Sequence, residues 1–241
     1  ETRQQVIGGL GEQHLDVVKA KLKNKFGVEI GLEAPRIAYR ESIRKACQKQ
    51  GRHKKQTGGH GQFGDVIINF EPCDSEQVVF EEKVFGGSVP KNFFPAVEKG
   101  VREVLATGFV AGYPIEDIKV TVYDGKYHPV DSKEVAFVSA GRKAMLDALA
   151  KASPQVLEPI VEMIITAPDG YMGDITGDLA SRRGQIVGTD NLPGGMMEIR
   201  ALVPLAELEN YATRLHALTQ GAGAFSMDLS GYQPVPSQKQ A

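Results

Sequence analysis

Cysteine is nearly absent. The 241 residues hold two, Cys47 and Cys73, too few for a disulfide-stapled scaffold or a structural zinc cluster. Two thiols fit a reducing cytoplasm. Long apolar runs are missing as well. None approaches the roughly 18 residues a membrane helix requires, so no membrane partner is expected. No G-x-x-x-x-G-K-[ST] occurs, hence no phosphate cradle of the P-loop type, and no G-x-S-x-G marks a nucleophile elbow. The histidines do not assemble a site. His14 lies two residues from Glu12 on a helix, where side chains do not share a face. His53 and His60 have no third ligand nearby in sequence. Neither catalytic residues nor a metal are expected in this chain.

Net charge is also scarce: 28 basic against 30 acidic residues, or −2. The distribution carries more information than the sum. Between Tyr39 and Thr57 stand Arg40, Arg44, Lys45, Lys49, Arg52, Lys54 and Lys55, with Glu41 as the one acid, so this stretch is +6 and the rest of the chain −8. A concentrated basic stripe on an acidic chain is a candidate phosphate-binding footprint; a lysine-rich strand edge is the alternative. With 41% hydrophobic and 24% charged residues, the composition is that of an ordinary soluble globular protein, and the element order below gives α+β as the expected fold class.

Periodicity divides the chain into three parts. Residues 1–36 read strand (Gln5–Ile7), helix (about Glu12 to Phe26, apolar at Leu15, Val18, Leu22 and Phe26), glycine cap (Gly27) and strand (Val28–Leu32). One helix on two strands buries too little for a domain, so this is expected to be half of one. Residues 37–156 predict a mixed αβ domain. Its strands are expected at Ile37–Lys49, Asp65–Glu71, Val78–Val84 and Ile115–Val122, and its helices at Pro95–Ala106 and from a Ser132 or Asp131 cap to Lys151. A glycine-rich break over Gln56–Gly64 and a polar loop over Asp124–Asp131 interrupt it. Residues 157–241 predict βαββαβ, the ferredoxin-like order, with helices at Met172–Arg183 and Leu205–Thr219 and a frayed tail after Tyr232. Residues 5–32 repeat the closing half of this last unit, residues 197–229.

Two loops combine the same ingredients. Gly58, Gly59, His60, Gly61, Gln62 and Phe63 join backbone freedom, a polar amide and an aromatic face, with Lys54 and Lys55 running up to them. Gly125, Lys126, Tyr127 and His128 repeat glycine, cation, aromatic and imidazole. Glycines permit close approach, aromatics stack on bases and cations neutralise phosphate. Ordinary surface turns are the competing reading of both.

At these residues the chain resembles the C-terminal part of bacterial translation elongation factor G. Gly8 to Leu15 is similar to the G-x-G-E-x-H-L of the third domain. Gln56 to Gly64 resembles the Q-[ST]-G-G-R-G-Q-[YF]-G loop of the fourth, to which Ala111-Gly112-Tyr113-Pro114 and Asp131-Ser132 with Ala136-Phe137 also belong. Leu157-Glu158-Pro159 and Gly177 to Gly184 resemble the fifth. His60 stands where the family has arginine and Asp65 where it has histidine, as in divergent elongation factor G-like paralogues. The resemblance implies residues 1–36 as the back half of domain three and residues 37–156 as domain four, a ribosomal-protein-like fold with a left-handed βαβ crossover. It implies residues 157–241 as ferredoxin-like domain five. It further implies a cytoplasmic, monomeric, ribosome-dependent GTPase that translocates tRNA and mRNA. GTP and Mg would be held in an upstream domain, and no cofactor in this part. Domain four would reach the small-subunit decoding site through the loops at His60 and His128. Domain five would approach the large-subunit factor-binding RNA through Arg182 and Arg183. A role in recycling or protection of ribosomes, or a free-standing RNA-binding protein, are the alternatives.

Overall fold

A computed structural model describes residues 4–9, 11–57, 60–75 and 77–236. The chain forms two units, Tyr39–Leu157 with the described residues after Gln233, and Glu158–Gln233 with the described residues before Tyr39.

In the first unit, β1 (Arg40–Ile43) runs antiparallel to the start of β6 (Pro154–Pro168), Arg40 facing Leu157. The single strand expected over Ile37–Lys49 is broken, because the N–H groups of Arg44 and Lys45 both turn to the carbonyl of Ala152, at 3.1 and 3.0 Å. Beyond the bend, β2 (Cys47–Thr57) and β3 (His60–Pro72) form a long antiparallel hairpin. The sheet is completed by β5 (Ile118–Lys126), antiparallel to β3, and β4 (Val79–Glu82), parallel to β5, in the order β2-β3-β5-β4. The crossover between β4 and β5 carries α2 (Phe94–Thr107), and α3 (Glu134–Leu149) follows β5.

Strand alternation decides which face is covered. Val66, Ile68 and Phe70 on β3 and Ile118, Val120 and Val122 on β5 are fully buried, together with Val97 and Val101 of α2 and Phe137, Met145 and Leu149 of α3. Truncating one of the larger of these side chains to alanine costs about 3 kcal/mol or more. Gly51 lets α3 lie against β2: a Cβ there would sit 1.9 Å from the Ala140 carbonyl oxygen. The glycine-rich stretch is therefore mostly strand, and the break shrinks to the connection between Thr57 and His60. The expected loop over Asp124–Asp131 likewise begins later, since β5 continues through Lys126.

Glu41, the one acid of the basic stripe, is wholly buried. Its carboxylate accepts five backbone N–H groups, from Phe109 and Val110 at Oε2 and from Ala111, Gly112 and Tyr113 at Oε1, at 2.7–3.2 Å. A single side chain thus satisfies the whole 109–113 turn.

The second unit has the βαββαβ order: β6, α4 (Met172–Ser181), β7 (Gln185–Leu192), β8 (Met196–Pro204), α5 (Tyr211–Leu218) and β9 (Ala224–Pro234). β8 lies between β6 and β7, both antiparallel to it, and β9 pairs with β6. Met163, Ile165, Ile199, Ala201, Ile175, Leu179 and Leu215 close the core. The helix expected over Leu205–Thr219 divides into a short 3-10 turn (Leu205–Glu207) and α5, because Asn210 takes a left-handed conformation at φ 57°. The strand expected to stop at Leu229 continues to Pro234, and the Val235 N–H still reaches the Val156 carbonyl, so the fraying expected after Tyr232 is not seen as far as Val235; residues 237–241 lie outside the described part.

In the segment before Tyr39, α1 (Glu12–Phe26) ends at Gly27 in the left-handed conformation, where the Gly27 N–H donates to the Lys23 carbonyl and the Val28 N–H to the Leu22 carbonyl. The strands expected at Gln5–Ile7 and Val28–Leu32 are not formed. A strand exists by pairing, and neither segment finds a ladder partner among the described residues. Val6, Ile7, Phe26, Val28 and Leu32 remain exposed.

Candidate nucleic-acid interface

The register of the hairpin builds the first half of the site. Thr57 faces His60, and the ladder runs inward through Lys55 and Gln62, Lys54 and Phe63, and Arg52 and Asp65. Gly58 and Gly59 fall outside the described residues, as does the side chain of His60. Lys54 and Lys55 are exposed, and alternation sends them to opposite faces. Gln62 is half-buried, with its Oε1 3.1 Å from Nε2 of His53.

The second loop is fastened to this hairpin. β5 pairs with β3 up to Lys126 opposite Asp65. Past it, the Phe63 N–H donates to the Asp131 carbonyl at 2.9 Å. The Ser132 hydroxyl donates to the Phe63 carbonyl at 2.8 Å and accepts the His128 N–H at 2.9 Å. Ser132 is therefore not the helix cap expected of it; α3 starts after Lys133 without a side-chain cap. Gly61 makes the fastening possible, because a Cβ there would lie 2.4 Å from Cγ of Asp131. Gly125 answers a similar demand one ladder step away, where a Cβ would meet the Asp65 carbonyl oxygen at 2.3 Å and Val89 at 2.5 Å. The loops at Gly61–Phe63 and Tyr127–Asp131 thus form one tip.

His128 is held in a defined orientation. Its Nδ1 accepts the N–H groups of Val130 and Asp131, at 3.3 and 3.1 Å. Two N–H donors at Nδ1 fix the ring's orientation, with the Asp131 carboxylate 3.5 Å from the same nitrogen, and turn Nε2 outward as the other polar atom of the ring. Just over half of the His128 side chain is exposed. Tyr127 and Val130 are exposed beside it, 45% and 78%, and Lys126 is exposed at the strand end. None of Lys54, Lys55 and Lys126 has a salt bridge among the described residues. The tip therefore offers unpaired cations, an aromatic ring and an oriented imidazole.

Arg182 and Arg183 are arranged differently. Arg183, at φ 61°, is bidentate to Glu158, at 2.6 and 2.8 Å, and also donates to Glu207 at 2.9 Å. Its hydrogen bonds to Glu158, ahead of that to Glu207, hold its proton more tightly than usual against the opposing effect of burial. Arg182 donates to Asp178 at 2.8 Å and to the Glu207 carbonyl at 2.5 Å, and stands over the Tyr211 ring at 5.3 Å. Arg214 completes the cluster at 2.9 Å from Asp178. Both guanidiniums, expected to meet RNA, are also engaged inside their own unit.

Sequence reasoning missed Ser132 and Asp131 as fasteners, and the Arg52–Asp65 pair. The pair was readable: with Thr57 set opposite His60, counting outward puts Arg52 opposite Asp65. The fasteners left no such signal, since a loop's hydrogen bonds follow no period.

A hairpin tip with exposed cations, on a mixed αβ unit accompanied by a ferredoxin-like unit, defines an α+β protein with a candidate nucleic-acid interface. The comparisons make the class particular. Family models match along the chain in order: "Elongation Factor G, domain III" over residues 1–34, "Elongation factor G, domain IV" over 35–153 and "Elongation factor G C-terminus" over 155–241. The chain belongs to the elongation factor G family and corresponds to its C-terminal portion. Among solved structures, it is similar to the crystal structure of ttk003000868 from Thermus thermophilus. The identity is 41%, the TM-score 0.85, and the match covers 95% of this chain. The chain spans about a third of that protein's length (34%).

Proposed function

We propose that this chain is the ribosome-facing region of a translational GTPase of elongation factor G type, and that it promotes movement of tRNA and mRNA. In this reading, Lys126, Tyr127, His128, Gln62 and the Gly58–Gly61 turn meet RNA at the decoding site of the small subunit, while Lys54 and Lys55 supply general attraction to ribosomal RNA. Nucleotide binding and hydrolysis, with GTP and Mg, belong to another part of the parent. Residues 1–36, 37–156 and 157–241 act as the back half of domain three, domain four and domain five.

The observation that carries the reading is the fastening of the Tyr127–Asp131 loop to Phe63 by Ser132 and Asp131. It turns two segments about sixty residues apart in sequence into one tip with free cations. A turn that served only to reverse the chain would not need it. His128→Ala in the full-length parent tests it. Ribosome-stimulated GTP turnover is expected within about twofold of the parent, with tRNA movement slowed tenfold or more, about 1.4 kcal/mol of barrier or above. His128→Gln, which keeps a polar group near Nε2, is expected to recover part of the loss. Unchanged movement in His128→Ala would return the loop to an ordinary surface turn.

A further inference from the structure

Two Asp–Gly pairs occur in the chain, Asp124-Gly125 and Asp169-Gly170. An aspartate followed by glycine is able to close on itself. The glycine nitrogen attacks the side-chain carboxyl carbon, and with no Cβ on the glycine nothing hinders the approach. The two pairs stand in opposite settings.

Asp124-Gly125 is locked. Both residues belong to the ladder between β5 and β3, Asp124 opposite Ile67 and Gly125 opposite Val66. Gly125 is buried, and a Cβ on it would lie 2.3 Å from the Asp65 carbonyl oxygen, so the backbone has no room to bend into a ring. Oδ1 of Asp124 accepts the Ser88 hydroxyl and the Gly125 N–H, each at 2.7 Å. Those bonds, the one from Ser88 foremost, hold the carboxyl below its usual range. The ionised form is the unreactive one, because its oxygen has no proton with which to leave as water. Reaction there must wait for the ladder to open locally.

Asp169-Gly170 is open. It lies in the single 3-10 turn (Asp169–Tyr171) that carries β6 into α4. Both residues are exposed, and a Cβ on Gly170 would meet nothing within 4 Å. The first N–H groups of a helical segment have no partner inside it, so no ladder holds the Gly170 nitrogen. Asp169 is tied only on its other side, where its own N–H donates to the Gly195 carbonyl at 3.0 Å.

We propose that Asp169 is a site of spontaneous backbone modification, at which an α-linked aspartate converts to a β-linked isoaspartate. The Gly170 nitrogen bonds to Cγ of Asp169. The bond from Cγ to the carboxyl hydroxyl breaks, and that hydroxyl leaves as water with the amide proton. Water then opens the cyclic imide. Opening at the side-chain carbonyl restores aspartate, whereas opening at the main-chain carbonyl leaves Gly170 joined through Cγ. One water is lost and one regained, so the only lasting change is a main chain longer by one methylene between β6 and α4. That connection leads into the helix whose Asp178 holds Arg182 and Arg214.

The test is incubation of the folded full-length parent in heavy-oxygen water, followed by peptide mapping with mass spectrometry. Isoaspartate carrying one heavy oxygen is expected to accumulate at Asp169 at least tenfold faster than at Asp124. In the urea-unfolded parent, where ladder and turn are gone, the two sites should react within twofold of each other. Gly170→Ala, whose methyl group fits the open space, is expected to slow the reaction at least threefold in the folded protein. Equal rates at the two sites in the folded parent would overturn the proposal. A tenfold difference that persisted in urea would assign the contrast to neighbouring sequence and overturn the role of the fold. Isoaspartate without heavy oxygen, or an unchanged rate in Gly170→Ala, would overturn attack by the Gly170 nitrogen.

Discussion

The tip at Lys54–Phe63 and Lys126–His128 and the corner at Arg182–Arg183 look alike in sequence: each has an adjacent pair of cations with glycine within three residues. Their structures are opposite. At the tip, alternation along a hairpin sends Lys54 and Lys55 to different faces, neither with a salt bridge among the described residues. At the corner, a helix end and a left-handed residue turn Arg183 onto Glu158 and Glu207, and Arg182 onto Asp178. A basic pair near a strand end stays available, whereas one at a helix C-terminus is drawn to the acids of its own unit. Charge in sequence is therefore a candidate for recognition only after its internal partners are known. Glu41 makes the point with the opposite sign, as an acid counted against the basic stripe that is buried under five N–H groups.

Glu41 also gives the largest expected effect. Glu41→Ala removes the acceptor of five N–H groups in a fully buried site. Loss of about 4 kcal/mol is expected in urea denaturation, at the upper end for a single substitution. Glu41→Gln, which keeps one oxygen, should cost about half as much. A loss under about 1 kcal/mol would mean that the 109–113 turn holds itself.

Arg183→Ala comes next. It strands Glu158, whose side chain is 4% exposed. Breaking a buried pair costs about 3–5 kcal/mol, and the 28% exposure of Arg183 argues for the lower end, about 3 kcal/mol. The same variant sharpens the comparison with the tip. Where it remains folded, the salt dependence of ribosome binding by the parent should be unchanged. A shallower slope would restore Arg183 as a phosphate contact.

Asp178 supplies a pH test of the same corner. Burial alone would raise its pKa, but hydrogen bonds from Arg214 and Arg182 outweigh it and hold the carboxyl below its ordinary value. A depressed folded pKa stabilises above the unfolded value and is lost as pH falls through the folded one. Stability should therefore decline below about pH 4, and Asp178→Asn should flatten that decline while lowering stability at neutral pH. Denaturation midpoints measured from about pH 2 to 7 decide it. An acid limb of the same steepness in the variant would place the titrating group elsewhere.

The second unit was legible almost throughout, because its strands alternate and its helices repeat at 3.6 residues against one core. Legibility failed where structure depends on a partner outside the local window. Val28–Leu32 alternates as a strand should and pairs with nothing among the described residues. Arg44 and Lys45 break a strand because the carbonyl of Ala152, more than one hundred positions away, captures their N–H groups. For the candidate site, composition singled out two loops that the structure fastens together, but not their fasteners. The ion pairs that engage Arg183 were invisible too, since Glu158 and Glu207 stand 24 or more residues off in sequence, whereas the Asp178–Arg182 pair, four residues apart at a helix end, was readable.

The smallest expected effect on stability falls at the tip. Lys54→Ala combined with Lys55→Ala removes two exposed side chains without salt bridges among the described residues, so stability should stay within about 0.5 kcal/mol of the parent. Binding should respond instead. Each phosphate neutralised contributes about 0.7–0.9 to the slope of log affinity against log salt, so losing two contacts flattens the slope by about 1.5. The deficit is then greatest at low salt and shrinks as salt screens what remains. Ribosome binding by the full-length parent, measured between about 50 and 300 mM salt, separates the possibilities. A flattened slope at unchanged stability is the reverse of the Arg183→Ala pattern, and the pair of variants would show that only one of the two basic corners faces RNA. A stability loss with an unchanged slope would place these lysines with Arg183, as charges held for the fold.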